Sequence, residues 1–159
     1  MNINDDNSLT NPDVKLKMRN LQPEDYDAIK NIMDRVYDRM GGAMPRKKFN
    51  SMLKIFPEGQ ICIDDNGIPI AVALAVIIDY AKFGDHHTYN EVTGDVYLTT
   101  HDPKGDVLYG VDVFVDPEFR NMRLGKRLYE ARKELCQSLN LRAIIAGGRI
   151  PNYRQHKDT

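Results

Sequence analysis

The sequence has no tryptophan, two cysteines, four histidines and almost no net charge, with 22 Lys and Arg against 23 Asp and Glu in 159 residues. That balance argues against a general nucleic-acid binder, which needs a basic surplus to neutralise phosphates. Cys62 and Cys136 lie far apart inside apolar patterns. They read as buried thiols of a cytoplasmic protein, not as a disulfide framework. Long apolar runs are missing too. The longest, over 68–78, contains Pro69 and is about half of the roughly 20 residues that a membrane span takes. Residues 1–13 are polar, without the basic start and apolar stretch of a signal peptide, and are expected to form a disordered leader. What remains, 14–159, is one domain's worth of chain.

Alternation over 14–21 predicts a strand with one face on a core. Pro23 then suits a helix start. Tyr26, Ile29, Met33, Val36 and Met40 recur at three- and four-residue steps, which predicts an amphipathic helix over 23–40 ended by Gly41 and Gly42. A second helix is expected over 45–56, burying Phe49, Met52, Leu53 and Phe56. Asn66-Gly67 between two apolar runs predicts a hairpin of strands over 60–64 and 68–80. Residues 81–105 read as a long functional or variable loop with a short strand at 96–99. A strand follows over 107–115, with Val107, Tyr109, Val111, Val113 and Val115 on one face and Leu108, Gly110, Asp112 and Phe114 on the other. A helix over 124–138 is expected to face the core through Leu124, Leu128, Ala131, Leu135 and Leu139. A last strand spans 142–146.

Charge is uneven along the chain. Residues 106–159 hold ten Lys and Arg against seven Asp and Glu, which leaves residues 1–105 at −4. Six of those ten, Arg120, Arg123, Lys126, Arg127, Arg132 and Lys133, lie in one loop and the helix it opens. Basic side chains and free backbone N–H groups at a helix N-terminus form an anion site. Gly125, with no Cβ, lets a ligand approach the backbone closely. A solvated basic surface fits the same composition.

The order of residues is more specific than the charge. Val115-Asp116-Pro117-Glu118-Phe119-Arg120-Asn121-Met122-Arg123-Leu124-Gly125-Lys126 resembles the acetyl-CoA signature of the GCN5-related N-acetyltransferases, in which a strand is followed by Val-x-Pro, an aromatic and Gln/Arg-x-x-Gly-x-Gly/Ala. Arg120 opens the pattern, Gly125 matches its second glycine and Arg123 stands where its first glycine belongs. The order of elements over 14–150 is also similar to that family's. The implied fold is α/β (α+β), a central mixed, mostly antiparallel sheet flanked by helices. The stretches at 83–89, 100–103 and 146–151 resemble a branch whose members continue into a carbon-nitrogen hydrolase domain of the nitrilase type. By that resemblance the chain lacks the family's final helix and strands.

The resemblance implies transfer of an acetyl group from acetyl-CoA to a small amine or a peptide amine in a ternary complex, with no nucleic acid, membrane or metal involved. It leaves room for a homodimer. The main chain of Val113, Phe114 and Val115 inherits polarisation of the thioester carbonyl. Residues Arg120, Asn121, Met122, Arg123, Leu124, Gly125 and Lys126 inherit the pyrophosphate. Asp112 is the candidate base, and as a lone acid on a strand it reads also as a solvated or paired surface carboxylate. Tyr109 is a second candidate or a core aromatic. Tyr153 lies in about the region of the family's acid. His86, His87 and His101 are expected to line an acceptor pocket or to hydrogen-bond their loop; their spacing does not match a closed zinc site. Cys136 reads as packing. The alternative is a non-catalytic acyl-CoA-binding or regulatory module.

Overall fold

A computed structural model of the protein describes residues 16–36, 44–83 and 88–146. Five strands form one sheet, in spatial order β1 (Leu16–Asn20), β2 (Ile61–Asp65), β3 (Ile68–Ile78), β4 (Val107–Val115) and β5 (Ala143–Ala146). Neighbours are antiparallel except β4 and β5, which run parallel. The helices are α1 (Tyr26–Val36), α2 (Arg46–Ile55), the short α3 (Tyr80–Phe83) and α4 (Tyr89–Thr93), and α5 (Leu124–Ser138). The expected mixed, mostly antiparallel sheet flanked by helices is found.

β3 shows why the sheet takes a helical layer on each side. Its Val72, Leu74, Val76 and Ile78 pack with α1 and α2 in the main core, while Ala71, Ala73, Ala75 and Ile77 face α5. The bulkier side chains fill one layer, and the alanines let α5 approach closely on the other. Truncating a fully buried leucine such as Leu74 to alanine in such a core costs about 2–5 kcal/mol. The β2–β3 hairpin turns on Asn66 and Gly67, with φ of 54° and 93°. Two left-handed residues are what a tight two-residue turn demands. Arg19 donates to Asp25 at 2.8 Å and Asp64 at 2.5 Å, pinning the start of α1 to the β1–β2 edge.

Most expected elements are present with shifted bounds. The helix predicted over 23–40 opens as a 3-10 turn at Pro23–Asp25 before α1, and Tyr26, Ile29, Ile32 and Met33 are buried. Gly41 and Gly42 lie outside the described residues. Proline stands on either side of α2, and Phe49 and Met52 are its buried residues.

Three expectations are corrected. Residues 96–99 are a turn, not a strand: Asp95, Val96 and Leu98 have φ of 55°, 72° and 62°. A strand cannot hold left-handed backbone, and the apolar residues there anchor a turn, with Leu98 fully buried. α5 buries Leu124, Leu128, Arg132 and Cys136, whereas Ala131 and Leu135 are half-buried and Leu139 is exposed. Its core stripe follows strict steps of four, one residue away from the apolar stripe read in the sequence. Finally, the alternation of β4 breaks. Val107, Tyr109, Val111 and Phe114 belong to the main core, while Val113 and Val115 pack toward α5. Ala75 pairs with Gly110 but Leu74 pairs with Asp112, so Val111 is an extra residue, a β-bulge. The bulge reverses the pleat and carries Asp112 and Phe114 to the face that holds Tyr109, not the opposite one.

Candidate active site

β4 pairs with β3 as far as Ala71↔Val115 and with β5 from Val107↔Ala143 to Gly110↔Ala146, the last described residue of β5. Beyond Val115 the chain turns through Pro117–Met122 into the N-terminus of α5. A strand end and a helix start meet there, and the first turn of a helix offers backbone N–H groups that no intrahelical bond uses.

The turn is held from outside. Asp116 accepts two hydrogen bonds from Arg35 of α1, both 2.9 Å, and one from the Glu118 N–H at 3.0 Å. Burial opposes ionisation of Asp116, but Arg35 and the Glu118 amide outweigh it and hold the carboxyl below its ordinary value. Phe119 and Met122 pack against the α5-side core and Leu124 is buried. Asn121 and the three cations Arg120, Arg123 and Lys126 are exposed. None of these cations forms an ion pair with another described residue.

Arg123 caps α5 with φ 56° and ψ 35°, and no side chain caps the helix. Left-handed backbone is glycine's territory, which is the physical reason for a glycine at this point of the signature; Arg123 holds the same conformation with a Cβ, at a cost of about 1–2 kcal/mol. At Gly125 the reverse holds. Its φ is not left-handed, and an added Cβ would meet nothing within 4 Å. The open space beside this bare Cα, the uncapped amides of the first turn and the three exposed cations fit a phosphate-bearing group.

The bulge is tied from both faces. From α5, Arg132 Nη2 donates to Leu74 O at 2.5 Å and to Asp112 O at 2.9 Å. From α4, the Tyr89 hydroxyl donates to Val111 O at 3.2 Å. Burial lowers the Arg132 pKa to about 10, against the pull of the Asp112 charge. The guanidinium lies under Gly110, where a Cβ would come within 2.7 Å of Nη1. Arg132 is thus not part of the exposed basic surface that the sequence grouped it with. Neither Arg132 nor Tyr89 was readable as a site residue, because a basic residue in an amphipathic helix and a tyrosine in a loop carry no sign of a bulge elsewhere.

Asp112 and Tyr109 are both buried, at 3% exposure each. Asp112 Oδ1 accepts the Val113 N–H at 3.0 Å, so it is a held carboxylate and not a solvated one. Tyr153, His86 and His87 lie outside the described residues. His101 accepts the Ile77 N–H at 3.2 Å and stacks on Phe56 at 4.4 Å between centroids, which is hydrogen bonding of its loop. Burial lowers its pKa despite Glu58 and Asp102 nearby. Cys62 and Cys136 are free and buried; Cys136 packs in the α5-side core, and burial raises the Cys62 thiol to about 12. No helix among the described residues is long and apolar enough to cross a membrane.

The chain is 41% identical over 152 residues to the Bacillus subtilis protein named probable hydrolase YhcX, a match that covers 94% of the chain and 29% of YhcX. In fold it is similar to the loading GNATL domain of CurA from Lyngbya majuscula (TM-score 0.72, 19% identity, 91% of this chain and 70% of that one). It is similar also to the GphF GNAT-like decarboxylase in complex with isobutyryl-CoA (TM-score 0.66, 22% identity, 89% and 70%). The sequence pattern of the acetyltransferase (GNAT) family matches residues 26–157. With that match over most of its length, the chain belongs to that family.

Proposed function

We propose that the domain transfers an acetyl group from acetyl-CoA to an amine by direct attack in a ternary complex. The observation that carries this reading is the uncapped start of α5 with the exposed cations Arg120, Arg123 and Lys126 around it, directly after the bulged strand β4. The strand beyond the bulge supplies the main chain of Val113, Phe114 and Val115 to polarise a thioester, and the Val113 N–H, which donates to Asp112 Oδ1, links that stretch to the base. The loop over 120–126 takes the pyrophosphate through backbone N–H groups, and Arg120, Arg123 and Lys126 supply the charge. The GphF structure, which holds isobutyryl-CoA, supports an acyl-CoA at this fold. In the reaction the amine nitrogen bonds to the carbonyl carbon and the C–S bond breaks. The ammonium proton leaves to Asp112, directly or through water, and the thiolate takes a proton from Tyr153 or solvent. The setting in this reading is a cytoplasmic protein that continues into a carbon-nitrogen hydrolase domain, supported by the two free thiols and by YhcX.

A second reading is an acyl-CoA-binding regulatory module of such a hydrolase. It is favoured by the burial of Asp112 and Tyr109 and by the bond that occupies Asp112 Oδ1. Calorimetric titration of the full-length protein with acetyl-CoA, and a thiol-release assay with polyamines, amino acids and peptides, separate the two. Heat on titration, competition by free CoA and thiol release with one class of amine are expected. Binding without turnover selects the regulatory module, and no heat ends both readings.

A further inference from the structure

A buried guanidinium on the core stripe of a helix is costly, since taking such a charge out of water loses several kcal/mol. α5 has leucine at the two preceding positions of that stripe and cysteine at the next. The arginine is needed at position 132 for a local reason. An extra residue in β4 leaves Leu74 O, Val111 O and Asp112 O at a kink inside the protein, where unpaired carbonyls are expensive. Arg132 serves the first and third, and Tyr89 the second. Gly110 leaves the space the guanidinium fills. The Arg132 Nε is buried with no hydrogen-bond partner, so the side chain is placed for the kink and not for its own satisfaction.

We infer that Arg132 and Tyr89 are positioning residues that clamp the β4 bulge and so aim the main-chain amides beyond it at the acyl carbonyl. The inference rests on the acetyl-CoA reading and deepens it. Without the clamp, the kink can relax towards regular pairing. A shift by one residue would turn the side chains and amides of 112–115 over together. The clamp also sets a positive charge behind Asp112 and behind the place where the thioester oxygen gathers negative charge. Neither residue touches the substrate.

The test is the carbonyl stretch of acetyl-CoA, labelled with carbon-13 in the thioester, bound to the full-length protein. A polarised carbonyl absorbs at lower wavenumber than one free in solution. The wild type is expected to show that lowering. Arg132→Met should bind CoA within about twofold of wild type, because the phosphate loop is untouched, yet lose most of the lowering and about a hundredfold in any transfer rate, as for loss of one oxyanion donor. Arg132→Lys should recover part of both, and Tyr89→Phe should lose a smaller share. If Arg132→Met does not fold, Tyr89→Phe and Gly110→Ala carry the test, since one removes only a hydroxyl and the other displaces the guanidinium. A full wild-type lowering in the folded variants overturns the clamp while leaving the acetyl-CoA reading intact. Absence of acetyl-CoA binding to the wild type overturns both.

Discussion

The signature loop and the β4 bulge lie at two points of one short stretch, and they treat the backbone in opposite ways. In the loop, side chains anchor the ends: Asp116 to Arg35, Leu124 to the core. The amides of the first turn of α5 stay uncapped and the cations point to solvent. At the bulge the backbone itself is gripped by Arg132 and Tyr89, and the side chains around it are buried. A phosphate is large, charged and tolerant in position, so open amides and mobile cations suffice to hold it. A carbonyl must be met at a defined angle, so the amides that polarise it have to be fixed in advance. In the proposed reading the contrast separates binding from chemistry along fewer than twenty residues, and the variants below probe the two sides.

The largest effect is expected at Asp112. Asp112→Asn should cut the transfer rate at least about a hundredfold, the usual worth of a general base, while CoA affinity stays within about twofold. An unchanged rate across pH would remove Asp112 from the mechanism and favour the regulatory module. Next is Asp116→Ala, which frees the loop from α1. Loss of two charged hydrogen bonds, screened by water at the half-exposed Arg35, is expected to cost about 1–2 kcal/mol in denaturant unfolding and to weaken CoA binding. The same carboxylate predicts a pH dependence. Its folded pKa lies below its unfolded one, so its contribution is complete above the ordinary carboxylate range and is lost as pH falls through the folded value. The alanine variant should lack that acid-limb loss.

Arg120→Glu reverses an exposed charge and should raise the Kd for CoA about tenfold with no change in melting temperature. Equal affinity by calorimetry would move the phosphate site elsewhere. Arg123→Gly should relieve left-handed strain and stabilise the fold by about 1 kcal/mol, or roughly 2–4 °C in Tm. Whether CoA affinity falls with it tells if that side chain, as well as its backbone, serves the phosphate. The smallest effect is at His101, whose pKa is lowered in the folded protein. The unfolded chain takes up a proton near the ordinary histidine value before the folded one does, so stability falls as pH drops through that window. His101→Asn keeps an acceptor for the Ile77 N–H, and thermal melts from pH 7 to 5 should be flatter for it.

Much of this arrangement was legible in the chain. The Asn66-Gly67 turn, the apolar spacing of α1 and the signature from Val115 to Lys126 are local, because turn geometry, helical period and the first turn of a helix depend on residues a few positions apart. The reading failed where distant residues decide. Nothing near Val111 marks it as the extra residue; the mismatch arises when β4 pairs with β3, and it then reverses which side chains of 112–115 face which layer. Arg132 sits one step off an acceptable apolar stripe, and only the kink across from it explains why the charge is inside. Val96 and Leu98 alternate as a strand would, but hydrogen bonds back to α4 fold them into a turn.

The sequence by itself determined the mixed α/β class, the order of elements and the place of the signature loop, since periodicity and a contiguous motif suffice for those. The tertiary structure alone decided where β4 bulges, which face carries Asp112, and that an arginine of α5 holds the backbone of another element. Those depend on strand register and on contacts between residues far apart in the chain, and a sequence written in one dimension carries neither.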